Sequence, residues 1–428
     1  MAEVRIGQTM KSSSDEYTIE SLLGSGGQGS VYLVRDSQDR KRALKWYNDA
    51  SATNFQRNVI CDLIARGSPA PMFLWPEDFV EEGSNFGYIM PVRPAKYVSL
   101  HQIVKRTTEL SFFAVVRAAN DMTYAFRQLH TAGLAYRDIS YGNMFIHPQT
   151  GEVLICDNDN VSSSTSEETS VYGTMQFMAP EIVLGKAKPS TQTDRYSLAV
   201  LLFLLLFLNH PLQGKLEYDI HALNEAARKR LYGSNPVFVF DPNDHSNGPV
   251  KGWNDNAIIY WSLYPDYVQK LFIKAFTEGL KNPSARVTEG EWLKAFRQLL
   301  ASLCKCKSCG AEVFYDPSNR AKRCWNCDAL LGNYSVIEIE DHYFVIDQGK
   351  ELYACDTTLD DKIPIGNPIG SVVANPQKPD VVGLKNCDAG NWNYTGVSGT
   401  QSVITPGKTA ALKPGVTFHF GRHLGKVK

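Results

Sequence analysis

A polar loop set between apolar segments constrains this chain more than any other stretch. Residues 111 to 132 place Val115, Val116, Met122, Phe126 and Leu129 at helical spacing, and Gly133 supplies a stop. Tyr136-Arg137-Asp138-Ile139-Ser140-Tyr141-Gly142-Asn143 follows at once, and a short strand, Val153-Leu154-Ile155, leads into Asp157. The chain is strand-rich before this loop and helix-rich after it, with the chemistry on the loops between. That order predicts two lobes and a cleft.

The upstream half fits a phosphate site. Leu22-Leu23-Gly24-Ser25-Gly26-Gly27-Gln28-Gly29-Ser30-Val31-Tyr32-Leu33-Val34 reads as strand, glycine turn and strand. Glycines let the backbone close over phosphates and offer its N–H groups. A dinucleotide fingerprint needs a helix after the turn, whereas Val31 to Val34 is strand-like. Ala43-Leu44-Lys45-Trp46-Tyr47 then brings one lysine on an apolar strand. Phe55, Val59 and Leu63, with Ile60 and Ile64, predict a helix stopped by Gly67-Ser68-Pro69. Tyr88-Ile89-Met90-Pro91 ends a further strand. Phosphoryl transfer needs a carboxylate to orient the attacking hydroxyl and oxygen ligands for Mg²⁺. Asp138 suits the first task, and Asn143 with Asp157 the second.

In this order, residues 17 to 300 resemble the eukaryotic-type Ser/Thr protein kinase family, which is also common in bacteria. Further motifs carry the resemblance: Gly173-Thr174-Met175-Gln176-Phe177-Met178-Ala179-Pro180-Glu181, Asp194-Arg195-Tyr196-Ser197-Leu198, and Arg286 in Pro283-Ser284-Ala285-Arg286-Val287-Thr288. It implies an α+β bilobal kinase fold in which Asp194 braces the catalytic loop and Arg286 pairs with Glu181. It implies that Gly24, Gly26 and Gly29 cover the phosphates of ATP, with Val31 and Ala43 against adenine and Met90 as gatekeeper. Lys45 would contact the α- and β-phosphates, Asp138 the substrate hydroxyl, and Asn143 and Asp157 Mg²⁺. Thr174 favours Ser/Thr transfer.

The departures are specific. Alignment puts Asn58 where the family's regulatory-helix Glu pairs with the strand lysine, with Asp62 one turn on. Tyr136 replaces a hydrogen-bonding His. Ser140 replaces a lysine beside the γ-phosphate, a loss on the order of 10²-fold in rate by analogy with other charge-stabilising donors. Asn158 and Asp159 replace the Phe and Gly of Asp-Phe-Gly, so Asp157 and Asp159 both lie near the expected metal, with spacing favouring Asp157. An active enzyme is expected, and a nucleotide-binding pseudokinase that scaffolds a phosphosignalling complex is the alternative. Ser162-Ser163-Ser164-Thr165-Ser166-Glu167-Glu168-Thr169-Ser170 reads as a hydroxyl-rich loop open to autophosphorylation.

At 428 residues, two or three domains are expected. Residues 1–16 read as an N-terminal extension before the kinase domain. Residues 301–333 hold Cys306-Lys-Ser-Cys309 and Cys324-Trp-Asn-Cys327, 14 residues apart. That spacing predicts a zinc ribbon with structural Zn²⁺ on four thiolates; disulfides, or Cys304 replacing Cys306, are the competing readings. The ribbon's lysines read as solvation, not as a nucleic-acid surface. From residue 334, alternating runs such as Ser335-Val-Ile-Glu-Ile and Val416-Thr-Phe-His-Phe predict an all-β sandwich of 95 residues. Its later part, with Asn391-Trp392-Asn393, Pro406-Gly407 and Leu412 to Gly421, resembles a forkhead-associated domain, without that family's Gly-Arg or Ser-x-x-His motif. The tail after Asp388 has no acidic residue, and reads as a solvated basic end or a phosphate-selecting surface.

The longest apolar run, Leu198 to Leu208, has 11 residues, short of the ~20 a bilayer needs, so a buried central helix and a cytoplasmic chain without membrane contact are expected. Protein substrates are implied, and bacterial kinases of this layout suggest a metal-dependent phosphatase and a von Willebrand A protein as partners.

Overall fold

Alternation in the first ninety residues becomes a six-stranded antiparallel sheet in the computed structural model, which describes residues 4–163, 173–319 and 322–428. Its strands are β1 (Thr9–Lys11), β2 (Glu16–Ser25), β3 (Gly29–Arg35), β4 (Lys41–Tyr47), β5 (Asp78–Glu82) and β6 (Asn85–Pro91), ordered β1-β2-β3-β4-β6-β5. Residues 9–11, read as part of an extension, thus join the sheet. Ser12 and Tyr17 hydroxyls both donate to Asp78 on the far edge, at 2.6 and 2.8 Å, so the sheet curls back on itself. Helix α1 (Asn54–Arg66) follows β4; Thr53 caps it by accepting from the Gln56 N–H, and Gly67, at φ 71°, ends it. Its buried stripe is Gln56, Ile60 and Leu63.

The second lobe contains β7 (Val98–Ser99), α2 (Leu100–Val104), α3 (Phe112–Thr131), β8 (Leu134–Ala135), β9 (Met144–Ile146), β10 (Val153–Ile155), β11 (Ser162–Ser163), α4 (Pro180–Val183) and α5 (Thr191–Phe207). Strands β10, β9 and β7 pair in that order, while β8 pairs with β11. Helix α5 is the apolar run of the sequence. Every residue from Leu198 to Phe207 is buried, each large side chain contributing roughly 1.5–3 kcal/mol relative to exposure. Such a rod gives the loops around it a rigid floor. Among the described residues no helix is long and apolar enough to cross a membrane.

Helix Glu289–Ser302 packs along α3 and runs straight into a short hairpin, Leu303–Lys305 with Glu312–Phe314. Phe314 joins the large core, 5.2 Å from the Phe112 ring and 5.3 Å from Tyr264. Beyond it, two antiparallel sheets enclose a separate core around Trp392, Phe418 and Leu384. The six-stranded sheet runs His342–Val345, Val336–Ile339, His423–Val427, Thr417–Phe420, Trp392–Thr395, Gln401–Ile404; the four-stranded one runs Glu351–Leu352, Gly370–Asn375, Lys378–Asn386, Thr409–Ala411. A helix the alternation did not predict, Ala354–Thr358, opens a segment that lies against the second lobe. There the Arg297 guanidinium donates to the Asp360 and Ile363 carbonyls, both at 2.6 Å, Arg117 donates to Ile365 O at 3.1 Å, and Arg127 pairs with Asp361.

Candidate active site

The loop between β8 and β9 is held from below. The carboxylate of Asp194, in the first turn of α5, accepts the N–H of Tyr136 at 2.6 Å and of Arg137 at 3.1 Å. These bonds fix Arg137 in left-handed backbone, φ 73°, which a non-glycine residue adopts only under such constraint. Asp138 therefore projects from a rigid turn. Burial raises its pKa above the usual carboxylate range, offset in part by the Thr174 N–H. Its Oδ1 is buried without a hydrogen-bond partner among the described residues, an acceptor free for a donor from outside the chain. Asn143 donates its amide to Asp138 O at 3.1 Å, which leaves the Asn143 oxygen as the atom able to ligate a cation.

Tyr136 was expected to lose a hydrogen bond by replacing His. Instead its hydroxyl donates to the Cys156 carbonyl, and its ring packs edge-on against Phe126, 5.6 Å away. Cys156 immediately precedes Asp157, whose backbone is also left-handed, φ 58°. Asn158, where the family has an apolar Phe, makes a polar latch instead. Fully buried, Asn158 donates to Leu74 O at 2.8 Å and Ile155 O at 3.1 Å.

Lys45 on β4 meets this turn. Its ammonium lies 2.5 Å from Asp157 Oδ1 and 2.7 Å from Asp159 Oδ2, and donates to Gln28 Oε1 at 3.1 Å. Burial alone would lower its pKa, but the charges of Asp159 and Asp157 prevail and hold it above the ordinary lysine value. Burial and the neighbouring Asp159 push Asp157 up to about 6. Asp159, although buried, is held below the ordinary value by Lys45. Asn58, aligned with the missing Glu, is exposed and points away; Asp62 is likewise exposed and pairs with Arg66 at 2.7 Å. The α1 residue that faces the cleft is Gln56, which donates to Tyr47 Oη at 3.1 Å and Asp159 O at 2.8 Å. A signal for this was present: Gln56 is four and seven residues before Ile60 and Leu63, at the head of the buried stripe.

The glycines divide into two kinds. A Cβ at Gly29 would lie 2.0 Å from Trp46 O, so the sheet itself demands glycine there. At Gly24 and Gly26 a Cβ would meet no protein atom within 4 Å, so packing does not exclude side chains and the space above the cleft is open to a ligand. Val31 pairs with Lys45 across β3 and β4, and Ala43 with Met90 across β4 and β6, which brings the expected adenine and gatekeeper positions onto neighbouring strands. Arg286 donates to Glu181 Oε2 at 2.8 Å, the pair that the family resemblance implied. Of the hydroxyl-rich loop, Ser164 to Ser170 lies outside the described residues.

This geometry coincides with a family match, since the protein kinase domain model covers residues 17–294. The chain belongs to the protein kinase family. It is 25% identical over 205 residues to a probable serine/threonine-protein kinase, CCRP1, of Zea mays, covering 46% of this chain and 32% of the relative. It is 26% identical over 211 residues to the serine/threonine-protein kinase pkn3 of Myxococcus xanthus, covering 45% and 37%. A probable serine/threonine-protein kinase, PknB, of Corynebacterium glutamicum is 26% identical over 225 residues, covering 48% and 34%. The chain thus spans about a third of the length of the curated relatives it matches.

Beyond the kinase lobes, Cys306, Cys309, Cys324 and Cys327 gather their sulfurs within 4.8 Å of one another. Cys306 and Cys327 are 3.8 Å apart, and Cys309 and Cys324 3.7 Å. A tetrahedral ion with Zn–S bonds of ~2.3 Å spaces its sulfurs by about 3.8 Å, whereas a disulfide needs about 2.05 Å. The Ala311 N–H and the Asn326 amide draw the Cys309 thiol down to about 6, while Cys327, despite the Ala329 N–H, is pushed up to about 12 by its hydrogen bonds to the neighbouring sulfurs, so the cluster shares protons that a bound metal would displace. Cys304 stands apart, buried, its thiol pushed up to about 12 by burial.

Proposed function

We propose that this chain is an ATP- and Mg²⁺-dependent Ser/Thr protein kinase that transfers the γ-phosphate to protein hydroxyls, its own included. One observation carries the reading: Lys45, Asp138, Asn143 and Asp157 converge on a cleft braced by Asp194. In the reaction, Asp138 orients the substrate hydroxyl and accepts its proton. Lys45 binds the α- and β-phosphates, the turn of Gly24 and Gly26 covers them, and Thr174 lines the acceptor side. Asn143 and Asp157 would hold Mg²⁺, which supplies charge neutralisation on the phosphates. Val31, Ala43 and Met90 enclose the adenine.

The four-cysteine cluster reads as a structural Zn²⁺ ribbon and the two-sheet unit as a forkhead-associated-like docking module; the latter rests on sequence resemblance and on paired six- and four-stranded sheets. A cytoplasmic location rests on the shortness of the longest apolar run, and a phosphatase and a von Willebrand A protein as partners rest on family resemblance alone. The test is incubation of the whole chain with labelled ATP and Mg²⁺, alone and with generic acceptors. Incorporation that disappears in Asp138→Asn and Asp157→Ala supports the reading. Nucleotide binding without transfer in the wild type would replace it with a pseudokinase scaffold.

A further inference from the structure

The family pairs its strand lysine with a carboxylate from the regulatory helix, and this chain has none there: Gln56 faces the cleft instead. The lysine is nevertheless not left to Asp157. Asp159 Oδ2 lies 2.7 Å from Lys45 Nζ and also accepts the Tyr47 hydroxyl. Its backbone carbonyl accepts from Gln56. The two aspartates have different surroundings. The Asp157 side chain is 35% exposed and can turn to a cation, whereas that of Asp159 is 0% exposed, enclosed beneath the lysine. The second Asp159 oxygen is buried with no donor among the described residues, so the fold alone does not satisfy this carboxylate.

Accepting the kinase reading, we propose that Asp159 is the positioning carboxylate of Lys45. On this assignment the anchor has moved from the regulatory helix to the turn after the metal-binding aspartate, and Tyr47 and Gln56 hold it in place. Gln56 is then a neutral strut. A glutamate at that position would crowd Asp159, and the amide instead ties α1 to the turn.

The test measures affinity for a fluorescent ADP analogue with and without Mg²⁺, alongside phosphotransfer. Asp159→Asn should weaken nucleotide binding by about tenfold or more and lower kcat/KM further, with the Mg²⁺ requirement at saturating nucleotide unchanged. Returning the carboxylate to the helix, as Gln56→Glu in the Asp159→Asn background, should recover about half of the lost affinity on a logarithmic scale. Asp157→Asn should raise the Mg²⁺ requirement and gain nothing from Gln56→Glu. If Asp159→Asn does not fold, Tyr47→Phe removes only the hydroxyl and should weaken binding about threefold. Wild-type affinity in the folded Asp159→Asn protein, or in Tyr47→Phe where that variant stands in for it, would overturn the assignment. So would a raised Mg²⁺ requirement in Asp159→Asn, which would make Asp159 a metal ligand. A wild-type chain that binds nucleotide but transfers no phosphate would sink the kinase reading and leave the binding arm to decide the role of Asp159.

Discussion

Single residues in this cleft exchange apolar for polar solutions without loosening it. Asn158 replaces packing with two hydrogen bonds to backbone, and Tyr136 replaces one hydrogen-bond donor with another. Asp138 has no such substitute. Asp138→Asn should reduce phosphotransfer by about 10²–10⁴-fold while leaving nucleotide affinity within about twofold, as measured by incorporation and fluorescent-nucleotide titration. Beneath the loop, His130 bridges Asp194 at 3.2 Å and Glu289 at 2.7 Å. Burial alone would lower its pKa, but the two carboxylates raise it from 6.5 to about 9. Protonated His130 therefore contributes stability that is complete below pH 6.5 and lost as pH rises through about 9. Glu289, which burial would raise, is drawn from 4.5 to about 2 by His130 and Arg195; its contribution is complete above pH 4.5 and lost as pH falls towards 2. Unfolding free energy should fall by up to about 1.4 kcal/mol per pH unit between pH 6.5 and 9, and that slope should vanish in His130→Gln.

At the scale of elements, the sequence was readable wherever a local rule decides the outcome. Helix α1 ends at Gly67 and α3 just before Gly133, because a left-handed glycine stops a helix whatever surrounds it. The glycine turn was legible for the same reason, whereas the Arg286–Glu181 pair, 105 residues apart in sequence, was reached only through the family resemblance. What failed was the choice of face. Asn58 and Gln56 are two positions apart, about 200° around a helix, and only packing against the turn at Asp159 decides which one looks inward. The Ala354–Thr358 helix was hidden because it is short and stabilised by its contacts rather than its propensity. Two elements can be challenged directly. Arg286→Ala leaves Glu181 unpaired and strips the Gly279 and Gln192 carbonyls of a donor, which should cost about 3 kcal/mol in denaturant unfolding. Cys309→Ser should abolish retention of one zinc per chain, read by metal analysis after dialysis. Because Phe314 is shared with the main core, the thermal midpoint should fall as well.

At the scale of the molecule, the last helix of the kinase lobe is also the platform for everything that follows it. Arg297 holds the chain at Asp360 and Ile363, beside Arg127 at Asp361 and Arg117 at Ile365, so Arg297→Ala should accelerate hydrogen exchange across residues 354–369 while sparing the six-stranded sheet. The two lobes are also joined by side chains. Gln28, at the tip of the glycine turn, accepts from Lys45 and donates to Asn160 at 3.3 Å, across the mouth of the cleft. On the kinase reading, a nucleotide seated beneath the glycine turn would exchange that amide bridge for contacts to its phosphates. Apparent affinity is then scaled by the fraction of time the bridge is open. Gln28→Ala should speed nucleotide association in stopped flow and change dissociation little, which makes the resting conformation, rather than the strength of the bound contacts, a kinetic filter on how quickly this kinase responds.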